Sequence, residues 1–285
     1  MIAIFSSPRP FKGEFNLIQR NAIISWLNLS DIKIFLFEDE EGTTKKICDE
    51  YNLNYLHEVK KNKNGTPLMD NCIEIIKKKV DATAIVHVST DIILNQTFID
   101  TVLKINNIFI NKSFYVVGQR IDINESFDLT KCSLDEDFFK KLKNIGNLHT
   151  PTAMDYFVFS RNFDIKMPPF VIGRPGWDSW LVSFCKKKKI PVIDATCSID
   201  AFHQNHSYPT KKKNYFQSEC NYNFKLAGGN KNLMNIREAD YIFINNQLKK
   251  PKGWRHLLSI ISKFQIYGYM LLIYRYLKNF MKEIK

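Results

Sequence analysis

Polar residues that could bind a ligand follow the apolar, strand-like runs of this sequence at four places. Ligands of open α/β sheets bind at the carboxyl ends of the strands, which is where these groups would lie. Any single group has a plain alternative, because strands usually end in polar residues, but four coincident groups favour a binding site. The four are Ser6-Ser7-Pro8-Arg9-Pro10, Glu38-Asp39, Ser89-Thr90-Asp91 and the segment around Asp194.

Alternating apolar runs and helical patterns would position these groups on a parallel sheet. Pro67 is expected to open a helix that runs to about Lys79. Beyond Asp194 the pattern is lost until about Arg237, and so long an irregular segment is typically functional or ordered by a partner. The predicted strands are 1–5, 32–37, a short one near Tyr55, 82–88, 114–118, 155–159 and, as the last, 191–193; further predicted helices are 15–29, 44–51, 98–108, 134–142 and 177–188.

The formal net charge of +12 is concentrated at one end of the chain. Residues 249–285 contain nine Lys or Arg and one Glu, whereas the preceding 248 residues carry 32 basic and 28 acidic groups. A nearly balanced body with a basic tail argues against a DNA-binding domain and indicates a local electrostatic role, so no nucleic-acid partner is expected.

The six cysteines are scattered without a C-x-x-C pair or zinc spacing, which predicts reduced, mostly buried thiols in a cytoplasmic protein. A strand-like start at Ile2 gives no indication of a signal peptide.

Four motifs together carry a family resemblance: Ser-Ser-Pro-Arg-Pro-Phe, Ser-Thr-Asp, Pro-Gly-Trp-Asp and His-Gln-Asn-His. In order and spacing, over about residues 2–208, they resemble GT-A fold glycosyltransferases with family-two-like motifs. The resemblance implies an α/β fold with a Rossmann-like, mostly parallel central sheet flanked by helices, and a C-terminal helical appendage. It also implies transfer of a sugar from a nucleotide-sugar donor to a glycan or lipid-linked acceptor. We therefore expect a catalytic domain over 1–248 and a tail over 249–285.

The resemblance further implies a metal site. In these enzymes a short acidic motif after a central strand holds a divalent cation on the donor diphosphate, and Ser89-Thr90-Asp91 resembles it with the first aspartate replaced by Ser89. Asp91 and His203 are the implied ligands of Mn²⁺ or Mg²⁺, with His206 as the alternative histidine. A single carboxylate leaves the metal dependence open, and both histidines could instead contact the diphosphate or acceptor hydroxyls.

Donor and acceptor residues also follow from the resemblance. Asp178, which opens a predicted helix, would be the general base of an inverting reaction, although a helix-capping role is the alternative. Trp177, next to Asp178, would either form a platform for a sugar ring or be an aromatic residue of the core. Asp155 would be either an acceptor ligand or a structural residue at a strand end. The implied acceptor residues are Asp155, Arg174 and Trp177; the implied donor residues are Pro8, Arg9, Asn21, Glu38, Asp39, Gly65, Thr66, Ser89, Thr90 and Asp91.

The tail combines aromatic and basic residues, which is typical of a helix lying on an anionic membrane surface. Its uncharged stretch, 264–274, is far shorter than the ~20 residues that a spanning helix needs. Packing on the catalytic domain and oligomerisation are the alternatives. Two rival functions also stay open: a sugar-nucleotide-forming nucleotidyltransferase, and a non-catalytic protein that binds membrane or RNA.

Overall fold

The computed structural model describes residues 1–206 and 215–283, so Ile284 and Lys285 of the predicted tail lie outside the described residues. It confirms the predicted α/β class, with a mostly parallel central sheet flanked by helices and helices at the C-terminal end. The strands are β1 (Ile2–Ser6), β2 (Ile32–Phe37), β3 (Asn54–Leu56), β4 (Ala84–Val88), β5 (Ile92–Leu94), β6 (Tyr115–Gln119), β7 (Ile121–Ile123), β8 (Asn147–Leu148), β9 (Met154–Ser160), β10 (Val192–Asp194), β11 (Ala201–Gln204), β12 (Tyr241–Ile244) and β13 (Gln247–Lys249). The helices are α1 (Gly13–Leu27), α2 (Thr44–Tyr51), α3 (Met69–Lys79), α4 (Gln96–Ile108), α5 (Glu136–Ile145), α6 (Trp177–Lys188), α7 (Phe216–Leu226), α8 (Gly253–Ile261) and α9 (Gln265–Glu283).

In the described part of the chain the main sheet has nine strands, in the order β13-β12-β10-β6-β9-β4-β1-β2-β3. The strands from β4 through β1 and β2 to β3 run parallel. β9 is antiparallel to both of its neighbours, β4 and β6. Beyond β6 the parallel direction resumes in β10 and β12, before the hairpin to β13.

Each face of the main sheet is buried under helices. Side chains alternate between the two faces, so that Ala3 and Phe5 join one apolar cluster while Ile2 and Ile4 join the other. Helices α3 and α6 cover the first face, and α1, α2 and α4 cover the second. A strand buried on both faces is apolar at nearly every position, which is why β1 and β4 are hydrophobic except for Ser6 and His87.

A second sheet, with the order β5-β11-β7-β8, lies at the carboxyl end of the central strands. Its apolar residues pack against α5 and the turn around Leu129 as a separate small cluster. The sequence predicted none of these four strands. Two of them, β5 and β7, have three residues each and β8 has two, too short for an alternating pattern to be recognised.

Three other predictions from the sequence are wrong. β10 is not the last strand, because β11, β12 and β13 follow it. The segment after Asp194 is not irregular throughout, since it contains β11 and α7. Pro67 does not open the helix either: it forms an isolated bridge with Lys61, and α3 begins two residues later at Met69.

The C-terminal helices α8 and α9 pack on the body of the protein through a narrow set of contacts. Leu258 of α8 and Tyr267 of α9 are buried in the large apolar cluster on the α6 face. Within the described residues, no helix is both long enough and apolar enough to cross a bilayer.

Candidate active site

Asp91 lies in the turn that leads from β4 into β5. β4 is buried along its whole length and ends at Val88, so the next residues are the first to leave the core. The Ser89 N–H donates to the Asp155 carbonyl oxygen at 3.0 Å, which extends the pairing of β4 with β9 by one residue. The predicted motif Ser89-Thr90-Asp91 therefore lies at the carboxyl end of a central strand, where open sheets bind ligands.

Strand β11 brings His203 next to Asp91. It pairs antiparallel with β5, which places His203 opposite Ile92, the residue after Asp91. The carbonyl oxygen of Asp91 also accepts the Gln204 N–H at 3.1 Å. Residues 112 positions apart thus become neighbours through strand register, a relation that no local pattern in the sequence reveals.

Both histidines point one ring nitrogen at the same carboxylate oxygen. The Nε2 atoms of His203 and His206 lie 3.5 and 3.4 Å from Asp91 Oδ2. The other oxygen, Asp91 Oδ1, is buried and has no hydrogen-bond partner among the described residues. One ligand atom from each of these three residues lies within 4.8 Å of the others, so the cluster can hold a divalent cation.

The electrostatics of the cluster also suit a cation. Burial alone would raise the pKa of Asp91, but the hydrogen bonds and charges of His203 and His206 outweigh it and hold that pKa well below its usual range. Burial would lower the pKa of His203, yet its contact with Asp91 raises it. The Asp91 carboxylate is therefore ionised at neutral pH. Because its Oδ1 is buried without a partner among the described residues, it is a suitable ligand for a hard cation.

Asn205 is the hydrogen-bond partner of the His203 ring, and Asp122 lies close to the same ring nitrogen. His203 Nδ1 lies 2.8 Å from Asn205 Oδ1 and 3.4 Å from Asp122 Oδ1. If Nδ1 carries the proton and donates it to these oxygens, Nε2 keeps its lone pair for a cation. His149 approaches the second Asp122 oxygen through Nδ1 at 2.5 Å.

Arg120 links this group to Asp155. Its guanidinium donates to Asp122 Oδ1 at 2.9 Å and to Asp155 Oδ2 at 2.8 Å. Asp155 is thus half-buried and ion-paired, which agrees with the structural alternative stated from the sequence, although its carboxylate still faces the cluster. Burial and the nearby Asp91 charge raise its pKa despite the Arg120 contact.

Asp178 lies at the start of α6, as predicted. Gly176 adopts φ +112°, and its N–H donates to Asp178 Oδ1 at 3.1 Å, as does the Ser179 N–H at 2.7 Å. Within the described residues, no hydrogen bond is made to Oδ2. Burial, reinforced by the Asp155 charge, raises the Asp178 pKa. One oxygen therefore caps the helix start and the other is available to a ligand.

Trp177 lies in the core. It is 6% exposed, and its ring centroid is 4.5 Å from that of Phe157 and 5.3 Å from that of His87. Burial among these rings lowers the pKa of His87 to about 3. The core-aromatic alternative therefore describes Trp177, and an exposed platform for a sugar ring does not.

The loop after β1 reaches the cluster of Asp91, His203 and His206 through Phe15 of α1. Arg9 is exposed, and its guanidinium lies 4.6 Å from the Phe15 ring centroid. The His206 ring lies against the same phenylalanine, with centroids 4.8 Å apart. Pro8, the preceding residue of the same loop, is buried. Arg9 thus lies near the cluster, and among the described residues its guanidinium forms no ion pair.

Two predicted donor residues, Asn21 and Asp39, have side chains that partners within the fold occupy, and the side chain of a third, Glu38, is occupied in part. Asn21 is buried and bonds to the main chain of Phe127 and Leu129 and to the Gln204 amide. The Asp39 carboxylate accepts hydrogen bonds from the main chain and hydroxyls of the turn that begins α2. Glu38 accepts the Tyr55 hydroxyl, but its Oε1 is buried without a partner among the described residues.

Glu219 of α7 ties the predicted donor loop to a predicted acceptor residue. Its Oε1 accepts hydrogen bonds from Asn62, Asn64 and Thr66, in the loop where Gly65 adopts φ +81°. Its Oε2 accepts the Arg174 guanidinium at 2.7 Å. Thr66 and Arg174, assigned to opposite sides of the site from the sequence, are therefore joined through one buried carboxylate.

Sequence reasoning missed Arg120, Asp122, His149 and Glu219. Each acts through a partner that folding brings close: Glu219 is 153 residues from Thr66 and Arg120 is 35 from Asp155. None of them lies in a recognisable motif. The one available signal concerned Glu219, which lies in the segment predicted to be irregular and functional.

Comparisons with known proteins give no family. No family model and no curated protein matches the chain. Among solved structures, S. aureus TarS 1–349 in complex with UDP-GlcNAc has a TM-score of 0.34 and 13% identity, covering 44% of this chain and 36% of that one. S. aureus TarS 1–349 has a TM-score of 0.41 and 8% identity, covering 73% and 58%. The 4-diphosphocytidyl-2C-methyl-D-erythritol synthase of Anaerococcus prevotii DSM 20548 has a TM-score of 0.39 and 11% identity, covering 78% and 95%. The chain spans about a third of the length of the first of these, and similarities this low do not assign it to either kind of enzyme.

Proposed function

We propose that this chain transfers a sugar from a nucleotide-sugar donor to a glycan or glycolipid acceptor, with a divalent cation bound at Asp91. The observation that carries the proposal is the convergence of Asp91, His203 and His206 at the carboxyl end of β4. The sequence-based proposal of Asp91 and His203 as ligands is thereby extended to both histidines.

The residues present fit Mn²⁺ or Mg²⁺. Asp91 Oδ1 is a buried anionic oxygen with no partner among the described residues, and the two imidazoles supply nitrogen ligands. Nitrogen ligands favour Mn²⁺ over Mg²⁺, which prefers an all-oxygen shell. When bound, the cation would neutralise charge on the diphosphate leaving group.

Asp178 is the proposed general base. Its Oδ2 would take the proton of the acceptor hydroxyl while the hydroxyl oxygen bonds to the anomeric carbon. The bond from that carbon to the diphosphate oxygen breaks at the same time, so the nucleoside diphosphate leaves with the electron pair and the configuration inverts. A raised Asp178 pKa makes the carboxylate a stronger base, and the two main-chain N–H groups on Oδ1 hold it in place.

The donor would lie between the first loop and the β4 end. Arg9 would meet a phosphate of the donor, and Ser89 and Thr90 would lie beside the proposed cation, because they directly precede Asp91 in the chain. The loop with Gly65 and Thr66 would form one wall, held by Glu219. Asn21 and Asp39 are left out of this proposal, since hydrogen bonds within the fold occupy their side chains.

Calorimetric binding of UDP, GDP, CDP and CMP, each with and without Mn²⁺, tests the proposal. We expect one nucleotide to bind more tightly with Mn²⁺, and Asp91→Ala to abolish the metal effect. Asp137→Ala is the matched control, because Asp137 lies on α5 and is exposed. Binding of none of the four, with or without metal, would overturn the proposal.

Product analysis separates the enzyme classes. A glycosyltransferase releases a nucleoside diphosphate from a nucleotide sugar, whereas a nucleotidyltransferase releases pyrophosphate from a nucleoside triphosphate and a sugar phosphate. Pyrophosphate as the product would establish the rival. A non-catalytic protein would give neither product, and its Asp91→Ala and Asp178→Asn variants would behave as wild type.

A further inference from the structure

Helix α9 exposes an almost wholly apolar surface. A narrow stripe that includes Tyr267 and Gly268 packs on the body. Among its described side chains from position 266 to 277, every exposed one is apolar or aromatic. The most exposed are Ile266, Ile273, Tyr274 and Tyr276. A surface helix normally presents charged residues opposite its buried stripe, so this surface calls for a partner.

Helix α8 continues the same surface. Trp254, Leu257 and Ile260 recur every three residues and are exposed, while Leu258 faces the core. Phe264, between the two helices, is also exposed. Together the two helices present a contiguous run of large apolar side chains, which we call the tail surface.

Polar contacts attach helices α8 and α9 to the body of the protein. Arg255 of α8 donates to Asp194 at 2.8 Å, and the Tyr267 hydroxyl of α9 donates to Glu238 at 2.6 Å. Arg275 donates to the carbonyl oxygens of Asn230 and Leu233. Gly268 allows a close approach, because a Cβ there would lie 2.5 Å from the Lys231 carbonyl oxygen. These contacts attach both helices to the body with the apolar side chains of the tail surface facing outward.

The charge of this region decides between partners. Residues 249–285 carry nine Lys or Arg and one Glu, and two of the basic residues, Arg255 and Lys263, are paired with Asp194 and Asp240 of the body. A second copy of the chain would place two such segments together, and their like charges would repel. An anionic lipid surface instead attracts the lysines while the apolar side chains enter the headgroup boundary. Trp and Tyr rings, of which Trp254, Tyr269 and Tyr276 are exposed, are the side chains that favour that boundary.

We propose that the tail surface docks the protein on an anionic lipid bilayer, with α8 and α9 lying in the plane of the headgroups. The apolar side chains of both helices enter the bilayer to a shallow depth, and the exposed Lys252 contacts anionic headgroups. This inference does not rest on the proposed enzymatic function, because no residue of the tail surface belongs to the candidate active site.

Sedimentation of the full chain with vesicles tests the proposal. Vesicles of phosphatidylcholine with phosphatidylglycerol should bind the protein, and binding should fall with added salt or when phosphatidylglycerol is left out. Ile266→Glu should weaken vesicle binding roughly tenfold or more. The matched control is Ile110→Glu, because Ile266 and Ile110 are both 66% exposed and Ile110 lies just beyond α4, outside the tail surface. Circular dichroism should show both variants folded.

Three results would overturn the proposal. Equal loss of binding in the two variants would show that the tail surface is not the docking site. Binding to phosphatidylcholine alone, without salt dependence, would remove the role of anionic lipid. A dimer in sedimentation velocity that Ile266→Glu dissociates, with no vesicle binding, would assign the surface to a second copy. Nucleotide affinity should be equal in Ile266→Glu and wild type, so failure here leaves the proposed function untouched.

Discussion

Removal of the Glu219 carboxylate should destabilise the protein more than removal of any exposed glutamate. Glu219 is 3% exposed and accepts hydrogen bonds from three residues of the loop at 62–66 and from Arg174. Breaking a buried pair by deleting one partner costs about 3–5 kcal/mol, because the remaining charge stays buried. The Arg174 side chain is 15% exposed and can gain some water, so the lower end, about 3 kcal/mol, is expected for Glu219→Ala.

The measurement is the free energy of unfolding in urea, monitored by tryptophan fluorescence. Glu74→Ala is the matched control: Glu74 forms an exposed i,i+4 pair with Lys78, which contributes about 0.5 kcal/mol or less. A double-mutant cycle with Arg174→Ala should give a coupling energy of about 1–3 kcal/mol. A Glu219→Ala protein within about 1 kcal/mol of wild type, or a coupling near zero, would refute the reasoning.

Three further outcomes are expected from the same unfolding assay. Burial would raise the pKa of Glu219, but its Asn and Arg partners outweigh burial and lower it. The Glu219 carboxylate should therefore stabilise the protein fully above about pH 4.5, and this stabilisation should be lost as the pH falls further. Glu219→Gln should lose that part of the pH dependence of unfolding, and an unchanged profile in this variant would contradict the reasoning. Asp240→Ala should cost about 3 kcal/mol or more, because Lys186, which is 0% exposed and lies 2.6 Å from Asp240, would keep a buried charge. Asp240 also pairs with the more exposed Lys263 at 3.0 Å, and an equal loss of stability in Lys263→Ala would argue otherwise. Gly118→Ala should lower the free energy of unfolding by about 1–3 kcal/mol, since the new Cβ would lie 1.7 Å from the Tyr156 hydroxyl. Adding Tyr156→Phe to this variant should relieve part of the loss. Wild-type stability in Gly118→Ala would rule out the clash.

Local sequence patterns predicted the elements that have strong patterns of their own. The helices 44–51 and 177–188 have the predicted bounds, because each combines an apolar stripe with clear flanking residues. The strands β1 and β2 of the main sheet were also found, since short segments that are apolar at nearly every position are distinctive.

The small sheet could not be predicted by the same means. The β11 sequence, Ala-Phe-His-Gln, has neither alternation nor an apolar run, and it is a strand because β5 and β7 lie on either side of it. Its consequence for the site is large, because β11 places His203 beside Asp91. The sequence identified both residues as candidates, but their proximity depends on pairing between distant segments.

The same limit applies to the residues that hold the site. Asp122 and His149 contact each other across 27 positions, and Glu219 contacts residues more than 150 positions away. A sequence pattern records periodicity and short spacing, so a buried carboxylate that serves two distant loops has no local signature. Trp177 shows the reverse case: its position in a motif was recognised, but whether its ring faced ligand or core depended on packing.

Electron paramagnetic resonance of Mn²⁺ tests the central claim most directly. Free aqueous Mn²⁺ gives a sharp signal that is lost on binding, so a titration in the presence of the nucleoside diphosphate found by calorimetry counts bound metal. The account predicts one Mn²⁺ bound per chain in the wild type and in Asp137→Ala, and strongly weakened binding in Asp91→Ala and in His206→Ala. Equal Mn²⁺ binding in wild type and Asp91→Ala would contradict the assignment of the cation site, and with it the proposed donor complex.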